Sequence, residues 1–64
     1  MVKINGEQKD VAGLSEKEYL VGANYSLFRV AVELNGEILK KNEFESVVFK
    51  DGDVAEIVNF VGGG

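Results

Sequence analysis

Residues 54–61 have the sequence VAEIVNFV, and the three residues that follow them, 62–64, are all glycine. β-Branched and aromatic side chains dominate the first segment, which is short enough to be one strand crossing a small sheet. Glycine has no side chain to pack and loses the most conformational freedom on ordering. The pattern therefore predicts an anchored strand that leads into a loose tail, which ends in an ionised α-carboxylate at Gly64.

The composition of the chain excludes most kinds of active site. It has 64 residues, which predicts a single domain, 1–64, and 45% of them are apolar, as in ordinary globular proteins. Without Cys or His, we expect no disulfide, no thiolate nucleophile, no imidazole base and no zinc site of the usual kinds. A domain of this size also has little interior in which to shift the pKa of paired carboxylates. We therefore expect a protein that is not an enzyme and that binds no metal or cofactor of its own.

The charge of the chain limits its partners. The formal net charge is −4 at pH 7, which disfavours a nucleic acid and favours a protein with a basic docking surface. No apolar run is long enough to span a membrane, and the first residues lack the apolar region of a signal peptide. A cytoplasmic location is the expectation.

The first half of the chain predicts a hairpin followed by a short helix. Residues 2–4, VKI, alternate as a half-buried strand does, Asn5-Gly6 is a strong hairpin turn, and residues 7–11 would form the returning strand. Ser15 and Glu18 have the spacing of a capping box, so we expect the helix to begin at Ser15 and to end at Gly22. Four glutamates in the helix and in a later polar segment are expected to form a solvated surface. They are Glu16, Glu18, Glu43 and Glu45.

The second half predicts a second hairpin and a polar bridge to the last strand. Residues 29–34 alternate clearly, and Asn35-Gly36 turns the chain into residues 37–39. Residues 41–45 suggest one helical turn anchored by Phe44, and Asp51-Gly52-Asp53 suggests the final turn. Core side chains are then expected at Val30, Val32 and Leu34 and in the segment 47–49.

These elements predict an α+β fold in the order β-β-α-β-β-turn-β. We expect one mixed sheet of four to five strands in which the first and last strands are neighbours, with the helix on one face and the other face open. In the last strand, Ala55, Ile57 and Val61 should face the helix, whereas Glu56, Val58 and Phe60 should face the open side. A role for Phe60 in the core, or as a cover over the sheet edge, is the alternative.

Three segments occur in a fixed order along the chain: 30–38, VAVELNGEI, the DGD turn at 51–53, and 56–58, EIV, which lead to Gly63-Gly64. In this order and spacing the sequence resembles the ubiquitin-like sulfur carriers of β-grasp fold, and among them the ThiS family. The helical segment is shorter and more polar than the Leu-rich helix of many such carriers, and Gly62 adds a third glycine.

The resemblance implies a mechanism and a set of partners. A ThiF-like adenylating enzyme, using ATP and Mg²⁺, would activate the carboxylate of Gly64, and a sulfur donor protein would convert it to a thiocarboxylate. A ThiG-like thiazole synthase would then take the sulfur for thiamine. Gly62 and Gly63 would enter the partner's active site, and Val58 and Phe60 would bind the partner, with the carrier itself a monomer.

Three other functions stay open. The first is a sulfur carrier for molybdopterin synthesis, of the MoaD kind, and the second is a modifier joined to lysines of other proteins through Gly64. The third, from a different class, is a non-covalent interaction module whose glycine end is incidental.

Overall fold

The computed structural model describes residues 1–60, and these form one mixed sheet with a single helix. The elements in chain order are β1 (Val2–Ile4), β2 (Glu7–Lys9), α1 (Glu16–Gly22), β3 (Val30–Leu34), β4 (Glu37–Leu39), a 3₁₀ turn (Lys41–Glu43) and β5 (Val54–Asn59). The five strands lie in the order β2-β1-β5-β3-β4. β1 and β5 are parallel, and the other neighbours are antiparallel. The predicted mixed sheet, with its first and last strands adjacent, is confirmed.

Both Asn-Gly hairpin turns form as predicted. Asn5 and Gly6 have φ values of 50° and 84°, and Asn35 and Gly36 have values of 52° and 89°. Two successive positive φ values are typical of the turn that matches the twist of two-residue hairpins. The strand after the first turn ends at Lys9 rather than at the predicted residue 11.

The capping box that starts α1 is confirmed. The backbone N–H of Glu18 donates to Ser15 Oγ at 3.0 Å, and the backbone N–H of Ser15 donates to Glu18 Oε1 at 2.8 Å. Each bond satisfies a donor that the first helical turn cannot pair internally.

The end of α1 depends on Asn24 as well as on the predicted Gly22. Gly22 is the last helical residue, but the left-handed conformation falls two residues later, at Asn24 with φ 66°. The N–H of Asn24 donates to the carbonyl of Val21 at 3.1 Å, and that of Tyr25 donates to the carbonyl of Leu20 at 2.9 Å. This pair of bonds is a Schellman motif, in which asparagine takes the position that glycine usually occupies.

The core lies between α1 and one face of the sheet. Phe49 packs edge-on against Tyr19, with ring centroids 5.8 Å apart, and the predicted anchor Phe44 is buried. Leu34 is only partly buried, and Val48, predicted in the core, is exposed because the extended chain there turns Phe49 inward instead. The buried apolar residues are Val2, Ile4, Leu20, Val30, Val32, Phe44, Phe49, Ala55 and Ile57. Within residues 1–60, no helix is long and apolar enough to cross a membrane.

The prediction that Glu16 belongs to a solvated surface is wrong. Its side chain has 0% exposure, and neither carboxylate oxygen has a hydrogen-bond partner among residues 1–60. The backbone N–H of Glu16 donates to the carbonyl of Val47 at 3.0 Å, so the first turn of α1 is held against the segment before Phe49. Burial first, and the negative charge of Asp53 second, raise the pKa of Glu16 to about 7.

The buried carboxyl of Glu16 should make stability depend on pH. Its pKa is about 7 in the folded chain against 4.5 as the ordinary value, so the folded state holds the proton more tightly. The free energy of unfolding should therefore fall as the pH rises from 4.5 to 7 and then level off. We expect the parent to lose about 2.5 kcal/mol of stability between pH 5 and pH 8 through this group, whereas Glu16→Gln, which is neutral throughout, should lose none of that amount.

Urea denaturation at pH 5 and at pH 8 measures this difference. Glu37→Gln is the matched control, because Glu37 is exposed and the same substitution there removes a carboxylate outside the core. Equal pH profiles for Glu16→Gln and the parent would contradict the assignment.

Candidate functional site

The two faces of β5 separate core residues from exposed ones. Ala55 and Ile57 face α1 and are buried, whereas Val58 and Phe60 are 54% and 59% exposed. The predicted faces are thus confirmed for residues 55–58 and for Phe60, and the alternative of Phe60 as a core residue is wrong. Asn59, which the alternation would place on the helix side, is exposed. A partner-binding role for Val58 and Phe60 stays a prediction at this point.

The sheet register assembles further side chains on the same open face as Val58. Glu33 lies directly opposite Ile38 on β4 and opposite Glu56 on β5, and Ala31 lies opposite Val58. Residues directly opposite each other project to the same side of a sheet. Ile38 is 76% exposed, so each member of the Glu33–Glu56 pair has an exposed apolar neighbour on this face. Ile38 lies across from Glu33, and Val58 follows Glu56 by two residues along β5.

The Glu33–Glu56 pair is a feature that the sequence did not predict. Glu56 was expected on the open face, but its neighbour depends on the register between β3 and β5, which are distant in the chain. Both residues are exposed, and like charges directly opposite each other destabilise a sheet. The pair therefore adds local negative charge beside Val58 and Phe60, which suits a partner with basic groups.

Two asparagine side chains hold the backbone of β5. The amide of Asn5 accepts a bond from the N–H of Ile57 at 2.7 Å and donates to the carbonyl of Ile57 at 3.2 Å. The amide of Asn35 accepts from the N–H of Val54 at 2.9 Å and donates to Asp53 Oδ1 at 3.0 Å. The residues that form the two hairpin turns therefore also fix the position of the central strand.

The β3 side of β5 is paired as far as the last described residue. The N–H of Phe60 donates to the carbonyl of Arg29 at 2.6 Å, so the backbone at Phe60 is still held by the sheet. Val61 and the predicted tail, Gly62, Gly63 and Gly64, lie outside the described residues. Their roles stay predictions.

The fold defines the class of protein. A mixed sheet with a central last strand, flanked by the parallel first strand and covered by one helix on one face, is the β-grasp arrangement of ubiquitin-like proteins. Among solved structures, the crystal structure of the thiamine biosynthesis protein ThiS from Geobacter metallireducens superposes on 98% of this chain and 97% of its own, with a TM-score of 0.77 and 36% identity.

Sequence comparison gives the family. The model of the ThiS family matches residues 2–64, and the chain belongs to this family. It is 39% identical over 64 residues to the sulfur carrier protein ThiS of Thermus thermophilus, covering 100% of both chains.

Two further relatives are longer proteins. The chain is 42% identical over 62 residues to a thiazole synthase of Paramagnetospirillum magneticum, and 33% identical over 64 residues to one of Magnetococcus marinus. It spans about a fifth of the length of these two relatives, 19% and 20% respectively.

Removing one charge of the Glu33–Glu56 pair should stabilise the fold. We expect Glu56→Gln to raise the free energy of unfolding by roughly 0.2–1 kcal/mol, because it relieves a like-charge contact across two strands. Added salt should reduce the gain, since exposed charges are screened. Urea denaturation at low and high salt measures both effects, and a Glu56→Gln variant no more stable than the parent at low salt would contradict the proposed repulsion.

Proposed function

We propose that this chain is a sulfur carrier for the thiazole of thiamine and that it carries sulfur on the carboxylate of Gly64. The observation that best supports this is the open face of β5, where Val58 and Phe60 are exposed a few residues before the glycines at 62–64. Membership of the ThiS family and the full-length similarity to a sulfur carrier protein support the same proposal. The chain acts as a carrier rather than as an enzyme.

The chemistry begins with activation of the Gly64 carboxylate. A carboxylate is a poor acyl donor until one of its oxygens becomes part of a good leaving group. A ThiF-like enzyme would supply ATP and Mg²⁺, and attack of the carboxylate on the α-phosphate would give the acyl adenylate and release pyrophosphate. Sulfur at the oxidation level of sulfide, supplied by a donor protein, would then attack the carbonyl carbon and expel AMP, so that a carbon–sulfur bond replaces the carbon–oxygen bond to AMP.

The glycines suit this chemistry for a steric reason. Gly62, Gly63 and Gly64 carry no Cβ, so they fit a narrow channel and can take backbone angles closed to other residues. Three extended residues span about 10 Å, which is enough to carry the carboxylate from a docked body into a buried site.

The exposed part of β5 supplies the docking surface in this proposal. Val58 and Phe60 would fill an apolar recess of the partner, because buried aromatic side chains dominate many interfaces. Glu33 and Glu56 would face basic groups, in keeping with the net charge of −4. The same face cannot be covered by α1, which packs on the other side.

The thiazole synthases that match this chain support a ThiG-like enzyme as the acceptor of the sulfur. A ThiF-like adenylating enzyme and a sulfur donor protein are the other proposed partners. The cytoplasmic location and the monomeric state remain predictions.

Intact mass tests the proposed function. After incubation with the ThiF-like enzyme, ATP, Mg²⁺ and a sulfur donor, we expect a mass increase equal to the replacement of one oxygen by sulfur. Deletion of Gly64 should abolish the increase and leave the thermal unfolding midpoint unchanged, since the core is built from residues 2–57.

Each other function gives a different result. Unchanged mass with a demonstrably active enzyme would favour a non-covalent interaction module and contradict the proposal. Conjugates to other proteins in cell extract would indicate a modifier. Transfer of the sulfur to a molybdopterin precursor, and not to a thiazole synthase, would indicate a carrier of the MoaD kind.

The docking surface is tested by two matched valines. Val58 on the open face and Val21 on α1 are 54% and 56% exposed, so the same substitution costs each a similar amount of exposed apolar surface. We expect Val58→Asp to weaken binding to the ThiF-like enzyme at least tenfold, about 1.4 kcal/mol, because a charge would enter an apolar contact. Val21→Asp should change it less than twofold.

Isothermal titration calorimetry measures both affinities, and circular dichroism checks that both variants remain folded. Equal affinities for the two variants would refute the assignment of the open face.

A further inference from the structure

Among residues 1–60, no strand pairs with β5 on its β1 side beyond the point where β1 stops, and this part of β5 is called its free edge. β1 ends at Ile4 and is registered with β5 only through Lys3 opposite Val54 and Ile4 opposite Ala55. The chain then turns away at Asn5, whose side chain supplies the next pair of hydrogen bonds, to Ile57. β5 itself continues to Asn59.

The backbone of Asn59 points toward this free edge. On the β1 side of β5, the carbonyl of Ala55 accepts from the N–H of Asn5 at 3.0 Å, and the N–H of Ile57 donates to the Asn5 side chain. On the β3 side, the N–H of Phe60 donates to the carbonyl of Arg29. Odd-numbered residues of this strand therefore direct their polar groups to the β1 side. Asn59 follows the same alternation, and within residues 1–60 no hydrogen bond satisfies its N–H or its carbonyl on that side.

The free edge is contiguous with the open face. Asn59 is exposed and lies between Val58 and Phe60, which are exposed as well. An unpaired N–H and carbonyl on a strand edge are a template for pairing with another chain. Native edges are often blocked by Pro or Lys, but residues 57–60, IVNF, contain neither.

We propose that the adenylating partner adds an extended segment of its own to this edge and pairs with the N–H and carbonyl of Asn59. This proposal rests on the proposed function, because it names how the same partner holds the carrier. The segment would lie beside β5 on the same side as β1. It would begin just beyond the bonds that Asn5 makes to Ile57. Asn5 is then a positioning residue: its amide ends the internal pairing of β5 and leaves Asn59 as the first free position.

Strand addition would give the partner control over the direction of β5 that side-chain contacts alone do not give. Main-chain hydrogen bonds hold an added strand in a defined direction, while side-chain pockets provide specificity. β5 would then be paired on both edges, with the partner at Asn59 and with Arg29 at Phe60. The direction of the chain that leaves β5 would therefore be fixed where it enters the partner. The apolar contacts of Val58 and Phe60 then add to backbone bonds that depend little on sequence.

Two proline variants, Asn59→Pro and Gln8→Pro, compare the edge of β5 at Asn59 with the outer edge of the sheet at β2. Asn59→Pro removes an N–H that points away from β3, so no internal strand bond is lost, and proline is tolerated where a strand N–H faces solvent. Gln8 is the matched control: Lys3 directs its N–H to Asp53 at 2.9 Å, so its cross-strand partner Gln8 directs its own N–H outward. Gln8 is exposed on the far edge of the sheet.

Calorimetric titration with the ThiF-like enzyme is the first readout. We expect Asn59→Pro to lose at least tenfold in affinity and to gain sulfur more slowly in the mass assay, whereas Gln8→Pro should stay within twofold of the parent. Thermal unfolding of each variant checks the fold. A second readout uses the parent chain, in which bound enzyme should slow hydrogen exchange of the Asn59 amide and leave that of Gln8 unchanged.

The outcomes distinguish this inference from the function on which it rests. If the parent gains sulfur but its Asn59 amide exchanges equally fast with and without the enzyme, strand addition is refuted and the carrier function stands. The same holds if both proline variants bind like the parent. If the parent neither binds the enzyme nor gains sulfur, the proposed function fails and the inference falls with it.

Discussion

The backbone pairing of β5 is the interaction on which the rest of this structure depends. β5 is the central strand, so the two hairpins on either side belong to one sheet only because both bind it. Its parallel contact with β1 is short, and the Asn5 side chain extends it by two hydrogen bonds to Ile57. On the other side, the Asn35 amide binds the start of the strand while β3 pairs with the remainder. Asparagine is suited to both positions, because it tolerates the positive φ of the turn and carries both a donor and an acceptor.

A single helix against a five-stranded sheet leaves an asymmetric molecule. α1 covers one face and creates the core, and the strand alternation then sends every second residue of β5 to the uncovered face. Val58 and Phe60 lie outside the buried core, and in the proposed function they form the contact with the partner. The Glu33–Glu56 pair supports the same view, since a like-charge pair across two strands is unfavourable for the isolated chain.

Glu16 is an ionisable residue in a buried position, whereas Val58 and Phe60 are apolar residues in exposed positions. A buried carboxyl group with no hydrogen-bond partner in the described part of the chain is costly when it is ionised. The fold keeps it there because the first turn of α1 is tied to the 44–48 segment. The N–H of Lys17 donates to the carbonyl of Phe44 at 2.8 Å, next to the bond from Glu16 to Val47. The helix begins under this constraint, and the side chain of its first residue, Glu16, is fully buried.

Local chemistry in the sequence was enough to predict most of the secondary structure and the alternation of β5. Asn-Gly turns, the Ser15–Glu18 capping box and the alternating strands depend on neighbours a few residues away, so they could be recognised before any fold was known. The open face of β5 followed from strand parity alone. Contacts between distant segments could not be predicted in this way: the pairing of Glu33 with Glu56, the Asn5 amide on Ile57, the burial of Glu16 and the free edge at Asn59 all depend on how elements pack and register. The order of the strands could be anticipated, but sequence spacing does not give the residue-by-residue register between β5 and its neighbours. That register decides which charges, side-chain hydrogen bonds and unpaired backbone groups surround the site.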